Sequence, residues 1–275
     1  MSGAIISRRP VDPAAVAVRG ADGAAAGSGA RPVGGTLVNG GPMKRIDLDL
    51  LGELYRKYTE PLAKVRDQQR AFCRDMRGKM TPQLDDLEAE ITYLLLREHR
   101  PAIVMELGTF HGWSTSWILS ALRDNGTGHL HSFDIVDNVV SNVPAELSAD
   151  RWTFHKGDVR ENVDAIPGGI EYLFVDAAHN GRFARWYIDH LFPRVAAGTP
   201  VSVHDVFHQS FALPFTEGRA VLKWLAEKET PYFTPSKAKA PDTYRAIHAI
   251  KRDLGLDEPV RTGKDNPMIY FHLPA

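Results

Sequence analysis

The sequence predicts an α/β fold built on a doubly wound, mostly parallel sheet, and three observations carry that reading. Short apolar runs end in an acid four times, at Glu106, Asp134, Asp158 and Asp176, spaced 28, 24 and 18 residues apart. Each interval has room for a strand and its crossover, so the four acids can share one edge of the sheet. Between the later runs, Phe183, Trp186, Tyr187, His190 and Leu191 keep a helical period. Finally, Gly108 and Gly112 follow the first run and precede Ser114-Thr115-Ser116 and a further helical pattern. Strand, tight turn and helix N-terminus is the unit that repeats in such sheets, and ligands bind beyond the carboxyl ends of the strands.

Composition narrows the function. Lys plus Arg number 33 against 34 Asp plus Glu, without a dense basic run, so no nucleic-acid partner is expected. No apolar stretch approaches the ~20 residues that span a bilayer, and Ala4-Ile5-Ile6 is too short for the core of a secretory signal. Cys73 is the only cysteine, which excludes an intramolecular disulfide and suits a reducing compartment. A cytoplasmic protein without a membrane partner is the expectation.

Residues 1–42 are rich in Gly, Ala and Pro and show no structural period. Such a stretch buries too little apolar surface to offset its ordering entropy, so a disordered leader is expected, with Met43 as an alternative natural start. Residues 43–100 are assigned to N-terminal cap helices. Leu50, Leu51, Leu54, Tyr55 and Tyr58 share one helical face. Pro61 breaks that pattern or opens a second helix, which Gly78 ends. Thr81 and Pro82 are the expected N-cap and first residue of a third, with Leu84, Leu87, Ile91, Leu94 and Leu95 as its buried stripe. Residues 101–275 form the main domain. Its strands are expected near 103–105, 130–134, 152–158, 172–176, 200–205 and 268–273, with a helix over 216–229. Residues 232–266 read as a further strand and a polar excursion.

Glu106-Leu107-Gly108-Thr109-Phe110-His111-Gly112-Trp113-Ser114 organises the rest. Its GxxxG spacing departs from the dinucleotide fingerprint GxGxxG. A carboxylate facing the turn repels a pyrophosphate and suits a cationic or hydroxyl-bearing ligand. The stretch resembles the E/DxGxxxGxS loop of class I S-adenosylmethionine-dependent methyltransferases. The resemblance covers roughly residues 80–275 and implies a seven-stranded, Rossmann-like sheet whose antiparallel last strand is 268–273. It implies S-adenosyl-L-methionine as cofactor, with Asp134 taking both ribose hydroxyls and Gly157-Asp158-Val159 at the adenine. Glu106, Gly108 and Gly112 would lie by the methionine moiety, Phe110 and Ser114 would close over it, and Asp176 would border it. The residue chemistry agrees, because hydroxyls and amines are donors that carboxylates accept.

Asp176-Ala177-Ala178-His179-Asn180 resembles the DxxK or DxxH segment of small-molecule O-methyltransferases of the catechol, cephalosporin-biosynthesis and macrolide-sugar types. There the acid binds a divalent metal and the basic residue lies nearby, which implies Asp176 as metal ligand and His179 as catalytic base. The next strand ends in His204-Asp205, where metal-dependent relatives commonly carry Asp-Asn or Glu-Asp. Asp205 can donate a carboxylate oxygen, whereas the His204 imidazole suits transition metals better than magnesium. Two versions follow. In one, Asp176, His204 and Asp205 hold Mg2+ or another divalent metal and His179 takes the proton. In the other, no metal binds and His179 or His204 is the sole base, at a pKa that imidazole has without perturbation. His208 is a weaker candidate, and Trp113, Phe207, Phe211 and Phe215 either line an acceptor pocket or pack the core.

The expected function is methylation of a hydroxyl on a small-molecule acceptor, a natural product or sugar of secondary metabolism, by a protein that self-associates through its N-terminal helices. A nicotinamide-dependent oxidoreductase on a similar sheet is one alternative, weakened by the missing GxGxxG loop. A non-catalytic cofactor-binding subunit is the other, and Asp176, His179 and Asp205 argue against it.

Overall fold

The chain divides into Met1–Thr36 and Leu37–Ala275, and a computed structural model describes residues 44–261 and 268–275. The expected leader and Met43 lie outside the described residues, as do residues 262–266 at the end of the polar excursion.

Three helices precede the sheet: α1 (Leu48–Lys57), α2 (Thr59–Asp75) and α3 (Asp86–His99). The Asp47 carboxylate caps α1 by accepting from the Leu50 amide at 3.0 Å. Pro61 stands in the first turn of α2, where a missing N–H breaks no helical bond. The start of α3 differs from expectation. Its N-cap is Asp85, which accepts from the Glu88 amide at 3.0 Å while the Glu88 carboxylate accepts from the Asp85 amide at 3.0 Å. This reciprocal box satisfies two amides at once. Thr81 instead donates its amide to His111 Nδ1 at 2.9 Å, so residues 81–84 run as a strap across the glycine loop.

The main domain continues as β1 (Ile103–Leu107), α4 (Trp113–Asn125), β2 (His129–Asp134), α5 (Asn138–Asn142), α6 (Ala145–Ser148), β3 (Trp152–Lys156), β4 (Tyr172–Val175), α7 (Gly181–Trp186), β5 (Pro200–Val203), α8 (Glu217–Glu227), α9 (Pro241–Asp253) and β6 (Ile269–His272). The sheet order is β3-β2-β1-β4-β5-β6, with β6 alone antiparallel. The chain winds outward from β1 in one direction and from β4 in the other, so the crevice opens above their carboxyl ends. Successive strand residues feed opposite faces. Val104, Leu130, Tyr172 and Phe174 pack with Trp117, Leu94 and Leu96 on one side. Met105, Phe133, Leu173 and Val175 pack with Tyr187, Phe183 and Leu225 on the other.

The described residues form six strands, one fewer than the resemblance implies. The remaining strand is reduced to one antiparallel bridge, in which Phe233 and Tyr270 exchange amide bonds of 2.7 and 2.8 Å. Pro231 and Pro235 flank Phe233, and neither has an N–H to extend the ladder. Much of the stretch read as an excursion is α9, opened by Pro241 in its first turn. Its Lys251 reaches into the helical layer, where the buried Glu90 carboxylate accepts from Lys251 Nζ at 2.9 Å, Arg66 Nη1 at 2.5 Å and the Tyr55 hydroxyl at 2.9 Å.

Candidate active site

A cavity of about 670 Å³ opens over the carboxyl ends of the central strands. Its floor is the loop after β1. Gly108 has φ +83°, and a Cβ there would fall 1.8 Å from the Asp176 carbonyl oxygen. Only glycine lets this loop lie on the end of β4. Asp134, at the end of β2, ties the loop down: its Oδ2 accepts from the Thr109 and Phe110 amides, each at 2.7 Å, and from Thr109 Oγ1 at 3.1 Å. Its Oδ1 accepts from the Val136 amide at 3.1 Å and retains capacity for a ligand hydroxyl. Phe110, in a left-handed conformation, and Ser114 also line the cavity.

Glu106 points away from the cavity. It has no exposed surface and accepts from Ser114 Oγ at 2.7 Å, Thr115 Oγ1 at 2.9 Å and Ser132 Oγ at 2.6 Å. Burial pushes its carboxyl up to about 7, with the three hydroxyls pulling against that rise. It pins the loop from beneath. Gly112 sits over Val139 and Val143 and likewise stands outside the lining. At one end of the cavity, Gly157, Asp158 and Val159 line the wall. The Asp158 carboxylate accepts from Arg160 Nε at 2.9 Å and Nη2 at 2.5 Å, and that guanidinium holds it below the usual carboxylate range.

The opposite end gathers two imidazoles and four acids. Asp176 Oδ1 lies 3.1 Å from His204 Nδ1 and 3.4 Å from His179 Nε2. His179 Nε2 is 3.3 Å from Asp205 Oδ2, and its Nδ1 is 3.4 Å from Glu217 Oε2. His204 Nε2 faces Glu88 Oε2 at 3.4 Å. Burial works to lower the His204 pKa, but the Asp176 and Glu88 carboxylates outweigh it and hold the ring well above the usual imidazole range. Burial likewise works to raise the Asp176 carboxyl, and the neighbouring imidazoles hold it below. For His179, burial is again outweighed, here by Glu217, Asp176 and Asp205, and the net direction is upward. His179 and Asp205 both adopt positive φ, +46° and +53°, a left-handed conformation uncommon for residues other than glycine.

The structure therefore brings Asp176, His179, His204 and Asp205 together, with imidazole nitrogens facing carboxylates. Both His204 nitrogens face carboxylates, so neither lone pair is free for a cation. Among the described residues, no group of three or more His, Cys, Asp or Glu is arranged to hold a metal. The expected set of Asp176, His204 and Asp205 does not fit a divalent ion as it stands. Trp113 lines the cavity, whereas Phe207 is buried in the core and Phe211 and Phe215 are exposed outside it. His208 is turned into a tight pairing with Phe211.

Sequence reading missed Glu88, Arg160 and Glu217. Glu88 is the third residue of a helix whose start was placed at Thr81. Glu217 follows the N-cap Thr216 and looks like any acid favoured by a helix N-terminus. Neither carries a signal that separates it from a structural acid.

Residues 105–206 match the family described as a methyltransferase domain. No curated protein matches the chain. Among solved structures, the fold is similar to that of the O-methyltransferase TomG of Streptomyces achromogenes, involved in tomaymycin synthesis and solved in complex with SAM. That likeness has a TM-score of 0.52 at 15% identity and covers 78% of this chain and 90% of that one. An O-methyltransferase from Bacillus cereus, in complex with SAH, gives 0.51 at 13% identity over 82% of this chain and 100% of that one. At such identities the likeness is one of fold.

Proposed function

We propose that this chain transfers the methyl of S-adenosyl-L-methionine to a hydroxyl oxygen of a small-molecule acceptor, a natural product or sugar, with His179 as the base. The match of residues 105–206 to a methyltransferase domain and the likeness in fold to O-methyltransferases support this reading. The observation that carries this reading is one cavity with two chemically distinct ends, acids that accept from hydroxyls and amines at one and an imidazole among carboxylates at the other. Asp134 Oδ1 suits ribose hydroxyls, and Asp158, once clear of Arg160, suits the adenine amine. Ile135 and Val159 supply apolar surface beside them. Bound there, the cofactor supplies an electrophilic sulfonium methyl. His179 Nε2 then accepts the proton that the acceptor hydroxyl gives up as its oxygen attacks. His204 is more deeply buried, with Asp176 at one ring nitrogen and Glu88 at the other, and stands behind His179 as the alternative base.

A divalent ion held by Asp176, His204 and Asp205 is the second reading, supported by the convergence of the Asp176 and Asp205 carboxylates on one His179 nitrogen. It requires His204 to release Asp176 or Glu88, and turnover that survives a chelator would count against it. The direct test is His179→Ala, assayed by labelled-methyl transfer to a panel of phenolic and sugar hydroxyls. The rate should fall by ~10²–10⁴ with S-adenosylhomocysteine affinity within about twofold. A near-normal rate would move the role to His204 or to a metal.

A further inference from the structure

At His179 and behind it, buried polar atoms of three side chains have no hydrogen-bond partner: His179 Nδ1, both carboxylate oxygens of Glu217 and the Tyr187 hydroxyl. They are neighbours. His179 Nδ1 and Glu217 Oε2 are 3.4 Å apart. Burial first, and then the Glu217 carboxylate beside it, push the Tyr187 hydroxyl well above its ordinary pKa. Glu217 has no exposed surface, so water does not compensate it, and a carboxylate in such a place is costly unless it is paired. The imidazole edge it faces and the Tyr187 hydroxyl are the donors available to it.

The backbone holds the pair together. The Glu217 amide donates to the His179 carbonyl at 3.4 Å, and the Gly181 amide donates to the Phe215 carbonyl at 2.9 Å. On the other side, a Cβ at Gly218 would fall 1.9 Å from the Val206 carbonyl oxygen. The first turn of α8 is thus clamped between the loop after β4 and the segment after β5.

We propose that Glu217 is the positioning residue of His179, accepting its Nδ1–H and so leaving the Nε2 lone pair free at the cavity. The proposal rests on the reading of His179 as the base. A neutral imidazole carries one proton, and the hydrogen bond at one nitrogen decides which atom has it. Nε2 lies near the carboxylates of Asp176 and Asp205, which by themselves would draw the proton to Nε2 and leave no base. Asp176 is already shared with His204, which weakens that pull, and Glu217 opposes it from a site without solvent. The 3.4 Å separation is long for a hydrogen bond, as such contacts commonly are before substrate closes the site.

The test uses the full chain labelled with 15N-histidine. Long-range proton–nitrogen spectra, at a pH where the ring is neutral, report which nitrogen is protonated, and His179→Gln assigns the signal. The wild type should show Nδ1–H. Glu217→Met, of similar length but unable to accept, should move the proton to Nε2, whereas Glu217→Gln should retain Nδ1–H in part through its amide oxygen. Circular dichroism verifies the fold of each variant, and Glu217→Ala repeats the test if methionine does not pack. S-Adenosylhomocysteine affinity should stay within about twofold throughout, because Glu217 stands outside the cavity lining. Nδ1–H persisting in folded Glu217→Met, or Nε2–H in the wild type, would overturn the proposal. The spectra need no turnover, so failure of the wild type to bind S-adenosylhomocysteine would sink the methyl-transfer reading and leave the tautomer result standing.

Discussion

Glu106 ends β1 with no exposed surface, and hydroxyls of Ser114, Thr115 and Ser132 donate to it. Burial is the larger influence and raises its carboxyl from 4.5 to about 7. Between those values the folded protein binds a proton that the unfolded chain releases, so its contribution to stability is full at acid pH and lost as pH rises through the window. The loss amounts to about 3 kcal/mol over the whole range. Glu106→Gln is neutral throughout and removes this dependence. Thermal melts between about pH 5 and pH 7.5 should show a smaller decline in Tm for the variant than for the wild type, and equal slopes would refute the assignment. The sequence marks Glu106 as a strand-end acid but does not show which way its side chain turns. That direction depends on Ser132, from the neighbouring strand, and on Ser114 and Thr115 from the helix above. The place of His179 and Asp176 at the cavity was legible for the opposite reason, because both follow a strand in one short segment.

At the scale of elements, the loop after β1 works because two separate strands hold it. Asp134 gathers the Thr109 and Phe110 amides from the end of β2, and Gly108 lets the backbone settle against Asp176 at the end of β4. Gly108→Ala should cost about 2–4 kcal/mol, combining left-handed strain with overpacking. Gly198→Ala is the control. It has a similar φ of +86° with nothing within 4 Å of its added Cβ, so it should lose only about 1–2 kcal/mol. Denaturant melts of the pair would separate the terms, and equal losses would mean that contact with β4 is not what makes Gly108 necessary. The first five strands were legible because each apolar run ends sharply in an acid or a glycine. A further strand was expected within residues 232–266, and Pro231 and Pro235, which lack the N–H a ladder needs, leave one bridge of it at Phe233. The start of α3 was misplaced because Thr81-Pro82 is a sound helix opening in local terms, and it loses to the Asp85–Glu88 box only once His111 takes the Thr81 amide.

Taken as a whole, the molecule builds its site from both of its layers. The sheet brings Asp134, Asp158, Asp176 and His204 to one rim, and α3 of the N-terminal helices adds Glu88 to the buried face of His204. The helices expected to act as a cover over the sheet therefore supply part of the charged network, and Glu90 anchors them through Arg66 and Lys251. None of this was legible, because Glu88 and Glu90 sit in a helical pattern that reads as amphipathic and their partners lie 116 and 161 residues away in sequence. Methyl transfer at this site requires the rim to hold S-adenosylmethionine, which calorimetric titration of S-adenosylhomocysteine into the folded protein, with magnesium and again with chelator, would test. Saturable one-site binding, equal in both buffers, is the expected result. Absence of binding in both, with the fold verified by circular dichroism, would contradict it and return a nicotinamide-dependent enzyme to consideration.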